Sequence, residues 1–329
     1  MTVFLNVLLI AFAVMTIDAR AEESLPLQVA QTIALPDVEG RIDHMAVDVK
    51  GQRLFVAALG NDSLEVLDLR AGKHLQSITG FHEPQGVGFV PGFNKLFVAN
   101  GKNGACDILD GSSFKRTKSL KLDDDADNVR YDALAHRIYV GHGSGGLAAI
   151  DPADGNQIGD IKLEAHPESF QLEKSGPRIF VNLPSAQKIA VVNRETRTII
   201  ASWPTAGAAA NFPMALDESH HRLFVGFRKP AKLLVFNTNS GKMVAKLESP
   251  GDADDIFYDS SRRRIYVSGG EGSIGVFQQK DADHYQPMAK IPTTVGARTA
   301  LFAPELNRLY LAVPHRGSQR AEVRVYKIE

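Results

Sequence analysis

The chain has 329 residues, 37 basic and 38 acidic side chains, a formal net charge of −1 and a single cysteine, Cys106. One cysteine excludes an intramolecular disulfide, so strand pairing and packing must hold the fold together. A near-neutral chain with both signs mixed along its length argues against nucleic acid or an anionic membrane as the main partner, because either requires a basic face.

The N-terminal residues predict a cleavable signal peptide. An apolar run from Val3 to Ile17 is interrupted by only two polar residues, and Ala19-Arg20-Ala21 forms a small-x-small cleavage site. The run is short for a membrane span. We therefore expect residues 1–21 to be removed and residues 22–329 to work in the periplasm or as a secreted protein. An uncleaved anchor is the alternative, since no Lys or Arg precedes the run. No later apolar run approaches membrane length, so we expect no integral membrane segment in the mature chain.

The first part of the mature chain reads as four short strands separated by turns. The alternating segment Met45–Val49 leads through a turn to Arg53–Val56, and two further segments follow at Leu64–Asp68 and His74–Ile78. Alternation of apolar and polar residues, with Gly, Asn and Asp between the segments, is typical of antiparallel strands joined by tight turns.

The second of these strands recurs six more times at steps of 41 to 44 residues. Its copies share a basic residue, an aliphatic residue, an aromatic residue and a final aliphatic residue; they begin at Arg53, Lys95, Arg137, Arg178, Arg222, Arg264 and Arg308. This period is typical of a four-stranded propeller blade. The sequence therefore predicts an all-β, seven-bladed propeller of four-stranded antiparallel blades, formed as a single domain by residues 22–329. We predict that the repeated aromatic residue belongs to the hydrophobic core, because an aromatic side chain at the same position of every blade indicates a role in packing.

An acidic residue precedes the basic one by five positions in several repeats: Asp48, Asp132, Glu173, Asp217 and Asp259. Two interpretations stay open. The two charges form a pair that flanks the tight turn, or the turn is simply solvated, in which case such a pair contributes only about 0 to 1 kcal/mol.

The last repeat is one strand short, because the chain ends after Glu322–Ile328. The segment Gln28–Ile33 resembles the fourth strands of the other repeats. We therefore predict that the N-terminal strand pairs into the last blade and closes the ring, which removes the free sheet edges that recruit other chains. A monomer is expected.

The repeat also carries a resemblance to a known group. The basic-aliphatic-aromatic-Val strand, with turns such as Ala99-Asn100-Gly101 and a third strand ending in Asp or Asn, resembles the YVTN-type repeat of WD40-like, seven-bladed propellers. The mature chain as a whole resembles the exported YncE-like group. The wider fold group includes binding proteins, lactonases and quinoprotein-like subunits, so the resemblance implies a fold and leaves the function open.

In a propeller the first strand of each blade lines the central channel. Counting back 12 residues from each repeated aromatic residue gives one position per blade, which we call the ring: Asp43, Gln85, Asp127, Glu168, Phe212, Asp254 and Arg298. Two residues further on, all seven positions are apolar: Met45, Val87, Val129, Phe170, Met214, Ile256 and Ala300. We expect a polar ring at one mouth of the channel above an apolar layer. Adjacent or loop residues predicted on this face include His44, Asn128, Asn211, Asp255, His82, Glu83, His166, Asn100, His142, Asn182, Arg228, Glu271 and His315.

From these positions we predict a ligand-binding set at the channel mouth: Asp43, His44, Gln85, Asp127, Asn128, Glu168, Asn211, Asp254 and Arg298. A divalent metal ion is a further possibility, with Asp43, Glu168, Asn211 and Asp254 as ligands. Carboxylate and amide oxygens suit Ca²⁺ or Mg²⁺, whereas the histidines favour Zn²⁺ or Cu²⁺. The plainer alternative is that any propeller needs a polar lining where water enters its channel. Arg298, the one cation of the ring, either neutralises Asp43 or Asp254 or anchors an anionic ligand.

The sequence favours a binding protein over an enzyme and identifies no catalytic residue. It contains no G-x-S-x-G, H-E-x-x-H or P-loop motif, and Gly141–Gly146 matches G-x-G-x-x-G only between strands. The first hypothesis is an exported propeller that binds a small ligand, a metal ion or a protein partner on the loop face around its channel. The alternative is a metal-dependent lactonase or hydrolase at the channel mouth. A quinone-cofactor subunit has no support from the single cysteine and the single tryptophan.

Overall fold

The computed structural model describes residues 25–329. The predicted signal peptide and its cleavage site lie outside the described residues. The described part forms seven four-stranded antiparallel sheets, which confirms the predicted seven-bladed propeller. None of the described residues forms a helix long and apolar enough to span a membrane.

The chain begins with β1 (Leu27–Ala34), which belongs to the last blade, and then builds the blades in order. The first blade consists of β2 (Met45–Asp48), β3 (Arg53–Ala58), β4 (Ser63–Asp68) and β5 (Lys73–Thr79), and the second of β6 (Pro84–Val90), β7 (Lys95–Asn100), β8 (Ala105–Asp110) and β9 (Arg116–Lys121). The third consists of β10 (Val129–Asp132), β11 (Arg137–His142), β12 (Gly146–Ile150) and β13 (Gln157–Lys162), and the fourth of β14 (Phe170–Leu172), β15 (Arg178–Leu183), β16 (Lys188–Asn193) and β17 (Thr198–Pro204).

The fifth blade consists of β18 (Ala209–Asp217), β19 (Arg222–Lys229), β20 (Ala231–Asn237) and β21 (Met243–Glu248), and the sixth of β22 (Ala253–Asp259), β23 (Arg264–Gly269), β24 (Ser273–Gln279) and β25 (Tyr285–Pro292). The seventh consists of β26 (Ala300–Ala303), β27 (Arg308–Val313), β28 (Glu322–Ile328) and β1. Helical structure within residues 25–329 is limited to three 3₁₀ turns, η1 (Leu59–Asn61), η2 (Pro91–Phe93) and η3 (Pro304–Leu306).

The ring closes as predicted. β1 pairs antiparallel with β28, from Leu27 opposite Ile328 to Ala34 opposite Glu322. Ile33 and Leu27 are each only 1% exposed and pack into different core clusters. The N-terminal strand therefore supplies both hydrogen bonds and apolar contacts to the last blade.

The hydrophobic core lies between the blades. Within residues 25–329 the buried apolar side chains form seven clusters, and each combines residues from two neighbouring blades. All seven repeated aromatic residues are at most 2% exposed: Phe55, Phe97, Tyr139, Phe180, Phe224, Tyr266 and Tyr310. The prediction that they form the core is confirmed.

The repeated acidic and basic residues have separate structural tasks. The acidic residues are buried, and most accept backbone N–H groups of the turn; the Asp132 carboxylate, for example, accepts the amides of Leu134 and Ala135. The basic residue reaches across to the next blade, as when Arg53 donates to the Gly111 carbonyl at 2.6 Å and Arg178 to the Thr238 carbonyl at 2.6 Å.

A direct ion pair between the two forms where Asp48 meets Arg53 at 2.7 Å, and Glu173 and Arg178 pair similarly. In the third blade Asp132 pairs instead with Arg194 of the fourth blade, at 3.0 Å. The repeated charges therefore cap turns and join blades, and the solvated-turn interpretation is not supported.

Candidate functional site

A cavity of about 140 Å³ lies at the mouth of the central channel. We call it the channel-mouth pocket. Its walls contain residues of all seven blades, so it must lie on the propeller axis. The lining residues are Arg41, Asp43, His44, Gln85, Asp125, Asp127, His166, Glu168, Phe212, Arg228, Asp254 and Arg298.

All seven ring residues line this pocket. Six of them lie at the start of the first strand of their blade or just before it, and Phe212 is the fourth residue of β18. In three blades the strand is irregular at this point, with register shifts between Pro84 and Val87, between Asn211 and Met214, and between Ala253 and Asp255. An irregularity of this kind redirects a side chain out of the regular alternation. The apolar layer predicted two residues further on is buried at all seven positions.

A second circle of side chains lies two residues before the ring. Arg41, Asp125 and His166 occupy this position in their blades and line the pocket. Asp252 occupies it in the sixth blade and contacts the arginines at the pocket wall. Sequence analysis did not identify this circle as a set, although the signal was available: residues two apart on an extended segment point to the same side.

On one side of the pocket, two arginines and two aspartates form a network of ion pairs. Arg298 donates to both carboxylate oxygens of Asp252, at 3.0 and 3.1 Å, and lies 2.8 Å from Asp254. Arg228 also pairs with Asp254, and its guanidinium stacks on the Phe212 ring at 3.8 Å from the centroid. The expected neutralisation of Asp254 by Arg298 is thus observed.

Asp43 has a different cationic partner from the one expected. Its carboxylate accepts a hydrogen bond from Arg41 at 2.7 Å, and His44 lies at 3.7 Å. Burial raises the pKa of Asp43 to about 6, although His44 and Arg41 favour the ionised form. Burial also opposes the charge of His44, but Asp255 at 3.6 Å and Asp43 outweigh it and raise the pKa of His44 to about 10.

The other side of the pocket has two acidic side chains with few direct partners. Asp127 has a side chain only 9% exposed, and its Oδ1 atom has no hydrogen-bond partner among residues 25–329. The side chain of Glu168 accepts no hydrogen bond and forms no ion pair within the same range. Burial, with the nearby charges of Asp127 and Asp254, raises the pKa of Glu168 well above its usual range. Burial likewise raises the pKa of Asp127, against the opposing charge of His44.

His166 lies beside these two carboxylates. One donor atom from each of Asp127, His166 and Glu168 can be chosen so that all three lie within 4.8 Å of one another. The Nδ1 atom of His166 is 2.6 Å from the Gly143 carbonyl, and its Nε2 atom is 3.7 Å from Asp125. Since a carbonyl can only accept, Nδ1 carries a proton, and in the neutral imidazole Nε2 is the acceptor nitrogen. These three residues could hold a metal ion.

Two predicted site residues do not line the pocket. Asn128 follows Asp127 on an extended segment, so its side chain points away, and it is 2% exposed. Asn211 is fully buried and donates to the Asn182 side chain and the Lys188 carbonyl, both at 3.0 Å. The predicted metal set is therefore not brought together, because Asn211 lies inside the blade; of that set, only Glu168 belongs to the group formed by Asp127, His166 and Glu168.

Several loop residues predicted on this face have local partners instead. Asn100 and Asn182 are fully buried, His142 is 2.9 Å from Asp160, and His315 is 2.6 Å from Glu39. His315 lines an adjoining cavity of about 290 Å³ together with Arg41, Arg298 and the exposed Arg316. Arg41 and Arg298 thus form a wall shared by the two cavities.

Comparison with known proteins agrees with the fold. No family model matches the chain. The uncharacterized protein YncE of Salmonella typhi is 21% identical over 232 residues, which is 70% of this chain and 54% of that protein. YncE of Salmonella typhimurium strain LT2 gives the same identity and coverage. The chain spans about half the length of these curated relatives.

Solved structures also resemble the chain. A chain of Kuenenia stuttgartiensis hydrazine synthase has a TM-score of 0.77 at 14% identity, covering 88% of this chain and 96% of its own. A chain of the mitotic checkpoint complex has a TM-score of 0.78 at 14% identity, covering 98% and 99%. Identity this low shows the fold alone. The chain is therefore a seven-bladed β-propeller whose sequence is similar to that of the uncharacterized protein YncE.

Proposed function

We propose that this propeller is a binding protein that takes a small, hydrophilic ligand at the channel-mouth pocket, with a positive charge of the ligand between Asp127 and Glu168. The observation that carries the proposal is the charge balance of the pocket. The arginines are paired with Asp43, Asp252 and Asp254, whereas within residues 25–329 Glu168 forms no ion pair and Asp127 has only His44, at 4.0 Å. Buried ionised groups are strongly disfavoured unless they are paired, so a cation supplied by a ligand stabilises them.

The proposal is tested by thermal melts and calorimetry of the mature protein with a panel of small amines, amino acids, sugars and carboxylates. We expect positively charged members to raise the melting temperature, because a ligand that binds only the folded state stabilises it by mass action. Glu168→Gln should abolish the effect. Glu164→Gln is a matched control, since Glu164 lies close in sequence but pairs with Lys188 outside the pocket. Stabilisation that persists in Glu168→Gln contradicts the proposal.

A second candidate function is metal-dependent hydrolysis of a lactone or ester. The observation that favours it is the grouping of Asp127, His166 and Glu168, because a bound metal ion can polarise a carbonyl or activate a water. The residues that line the pocket include no Ser, Cys or Lys. A screen of lactones and esters with and without chelator tests this candidate; turnover that is insensitive to chelator, or absent with metal present, contradicts it.

We further propose that the mature protein works in the periplasm or outside the cell. The support is the apolar run Val3–Ile17 followed by Ala19-Arg20-Ala21. Cell fractionation and N-terminal sequencing provide the test. We expect the exported protein to begin at Glu22; a cytoplasmic protein that retains Met1 contradicts the proposal.

A further inference from the structure

Three donor groups from neighbouring blades converge in the channel-mouth pocket. Asp127 precedes β10, whereas His166 and Glu168 lie on the segment that leads into β14. Their donor atoms lie within 4.8 Å of one another. Ligand atoms that each lie about 2.0 to 2.2 Å from one ion are at most about 4.4 Å apart. The observed grouping therefore needs only small side-chain adjustments to surround a single ion.

The buried Asp127 carboxylate is the second observation that points to a ligand. Its side chain is 9% exposed, it lines the pocket, and its Oδ1 atom has no hydrogen-bond partner in residues 25–329. The nearest cationic atom is Nε2 of His44, at 4.0 Å, which is beyond hydrogen-bond distance. Buried polar atoms in folded proteins are nearly always paired, so this oxygen is suited to an ion or ligand.

The orientation of His166 is the third observation. Its Nδ1 atom donates to the Gly143 carbonyl at 2.6 Å. Metal-binding histidines commonly donate their second ring N–H to a carbonyl or carboxylate, which fixes the tautomer and aims the other nitrogen at the ion. Asp125 lies 3.7 Å from Nε2 and is itself held by Gln85 at 2.9 Å. The Gly143 carbonyl thus holds the imidazole of His166 in the orientation that a metal ligand needs.

We infer that Asp127, His166 and Glu168 bind one divalent first-row transition-metal ion, in the series from Mn²⁺ to Zn²⁺. One imidazole nitrogen and two carboxylate oxygens suit this series better than Ca²⁺, which takes six to eight oxygens. The inference rests on the proposed binding function, and it identifies the positive charge between Asp127 and Glu168 as a metal ion. The pocket wall also contains Arg228 and Arg298, so an anionic group of a second ligand could contact both the ion and an arginine.

The inference is tested by titrating metal-free mature protein with ZnCl₂ and MnCl₂ in a calorimeter. We expect one ion per chain and a higher melting temperature when metal is present. His166→Gln and Asp127→Asn should each weaken binding more than about tenfold. His284→Gln is the control, because His284 lies 2.9 Å from Asp281 on an exposed turn and provides the kind of surface pair that binds transition metals adventitiously.

The outcomes separate this inference from the proposed function. If metal binding is absent, or if His166→Gln and His284→Gln weaken it equally, the metal site is overturned. If organic cations nevertheless stabilise the protein and Glu168→Gln abolishes that effect, the binding function stands without a metal. If one ion binds with the expected loss in His166→Gln while no organic cation binds, the metal site stands and the organic form of the ligand is overturned.

Discussion

Asp43 is a buried carboxyl group whose ionisation is opposed by its surroundings. Its side chain is 2% exposed. Burial raises its pKa to about 6; His44 and Arg41 lower it, and Asp254 and Asp127 add to the increase. An Asp in an unfolded chain has a pKa of about 3.9. The folded protein therefore binds more protons than the unfolded chain between these values.

This difference predicts a pH-dependent effect of Asp43→Asn. The stabilising contribution of protonated Asp43 is fully present below about pH 4 and is lost as the pH rises through about 6. The variant keeps a neutral side chain at every pH. Its free energy of unfolding, relative to the wild type, should therefore rise by about 2 to 3 kcal/mol between pH 4 and pH 7. Urea unfolding at four pH values measures this rise. The exposed Asp37→Asn is the control for a carboxyl group outside the core, and a flat difference for Asp43→Asn contradicts the prediction.

Asn211 has a structural task at the back of the ring. Its amide donates to Asn182 and to the Lys188 carbonyl, both at 3.0 Å. Asn211→Ala leaves these acceptors without a donor and should lower the free energy of unfolding by about 1 to 3 kcal/mol. Ligand or metal affinity at the pocket should stay within twofold of the wild type, as measured by calorimetry. A large loss of affinity without loss of stability would contradict this structural role and indicate that Asn211 contacts the ligand.

The sequence predicted which chain positions lie at the channel mouth better than it predicted which side chains point into the pocket. Counting back from the repeated aromatic residue identified all seven ring positions, because the spacing within a blade is nearly constant. Adding chain neighbours of the ring brought in His44, which lines the pocket, but also Asn128 and Asn211, which are buried away from it. It also left His166 and Arg41 out of the predicted site. The pairing of Arg298 with Asp254 was anticipated, but the contacts of both Arg228 and Arg298 with Asp252 were not, because they depend on how blades meet around the axis.

The second strand has the same sequence pattern in all seven blades of this chain. Its basic residue clamps the next blade, and its aromatic residue fills the space between blades. The residue before the basic one has a positive φ in six blades, at Gln52, Asn94, His136, His221, Arg263 and Asn307. In the fourth blade Pro177 occupies this position, where its ring fixes φ at a negative value. The fold was predictable because one strand carries both the turn and the packing signals.

Loss of a repeated aromatic residue should therefore be costly. Phe97 is fully buried in the cluster between the second and third blades. Phe97→Ala removes these contacts and leaves a cavity, so the free energy of unfolding should fall by about 3 to 5 kcal/mol. Chemical denaturation measures the loss. Phe93→Ala is the control, since Phe93 in η2 is 37% exposed and its loss should cost under about 1 kcal/mol. Equal losses for the two variants contradict the assignment of Phe97 to the core.

At the scale of the whole molecule, closure depends on β1. A variant that begins at residue 35 lacks this strand, so β28 becomes an open edge and Leu27 and Ile33 leave their clusters. We expect a lower melting temperature and self-association in size-exclusion chromatography. A synthetic peptide of residues 25–36 should restore the elution volume of the mature chain by adding the strand in trans. A peptide with Thr32→Pro should rescue poorly, because proline disrupts strand pairing. An unchanged melting temperature of the truncated variant contradicts the role of β1.

The direction of β1 also determines which face of the propeller points away from a surface to which the molecule is attached. The strand runs from Leu27 to Ala34, and the next ten residues lead directly to Asp43 and His44 in the pocket wall. The end at Leu27 is therefore on the opposite face, where it meets Ile328. A tag or linker attached at either end of the propeller therefore leaves from the face opposite the channel mouth. A molecule attached to a surface in this way has its channel mouth facing the solution. Immobilisation through the C-terminus thus orients every copy with its pocket toward the solution, which suits capture and sensor experiments.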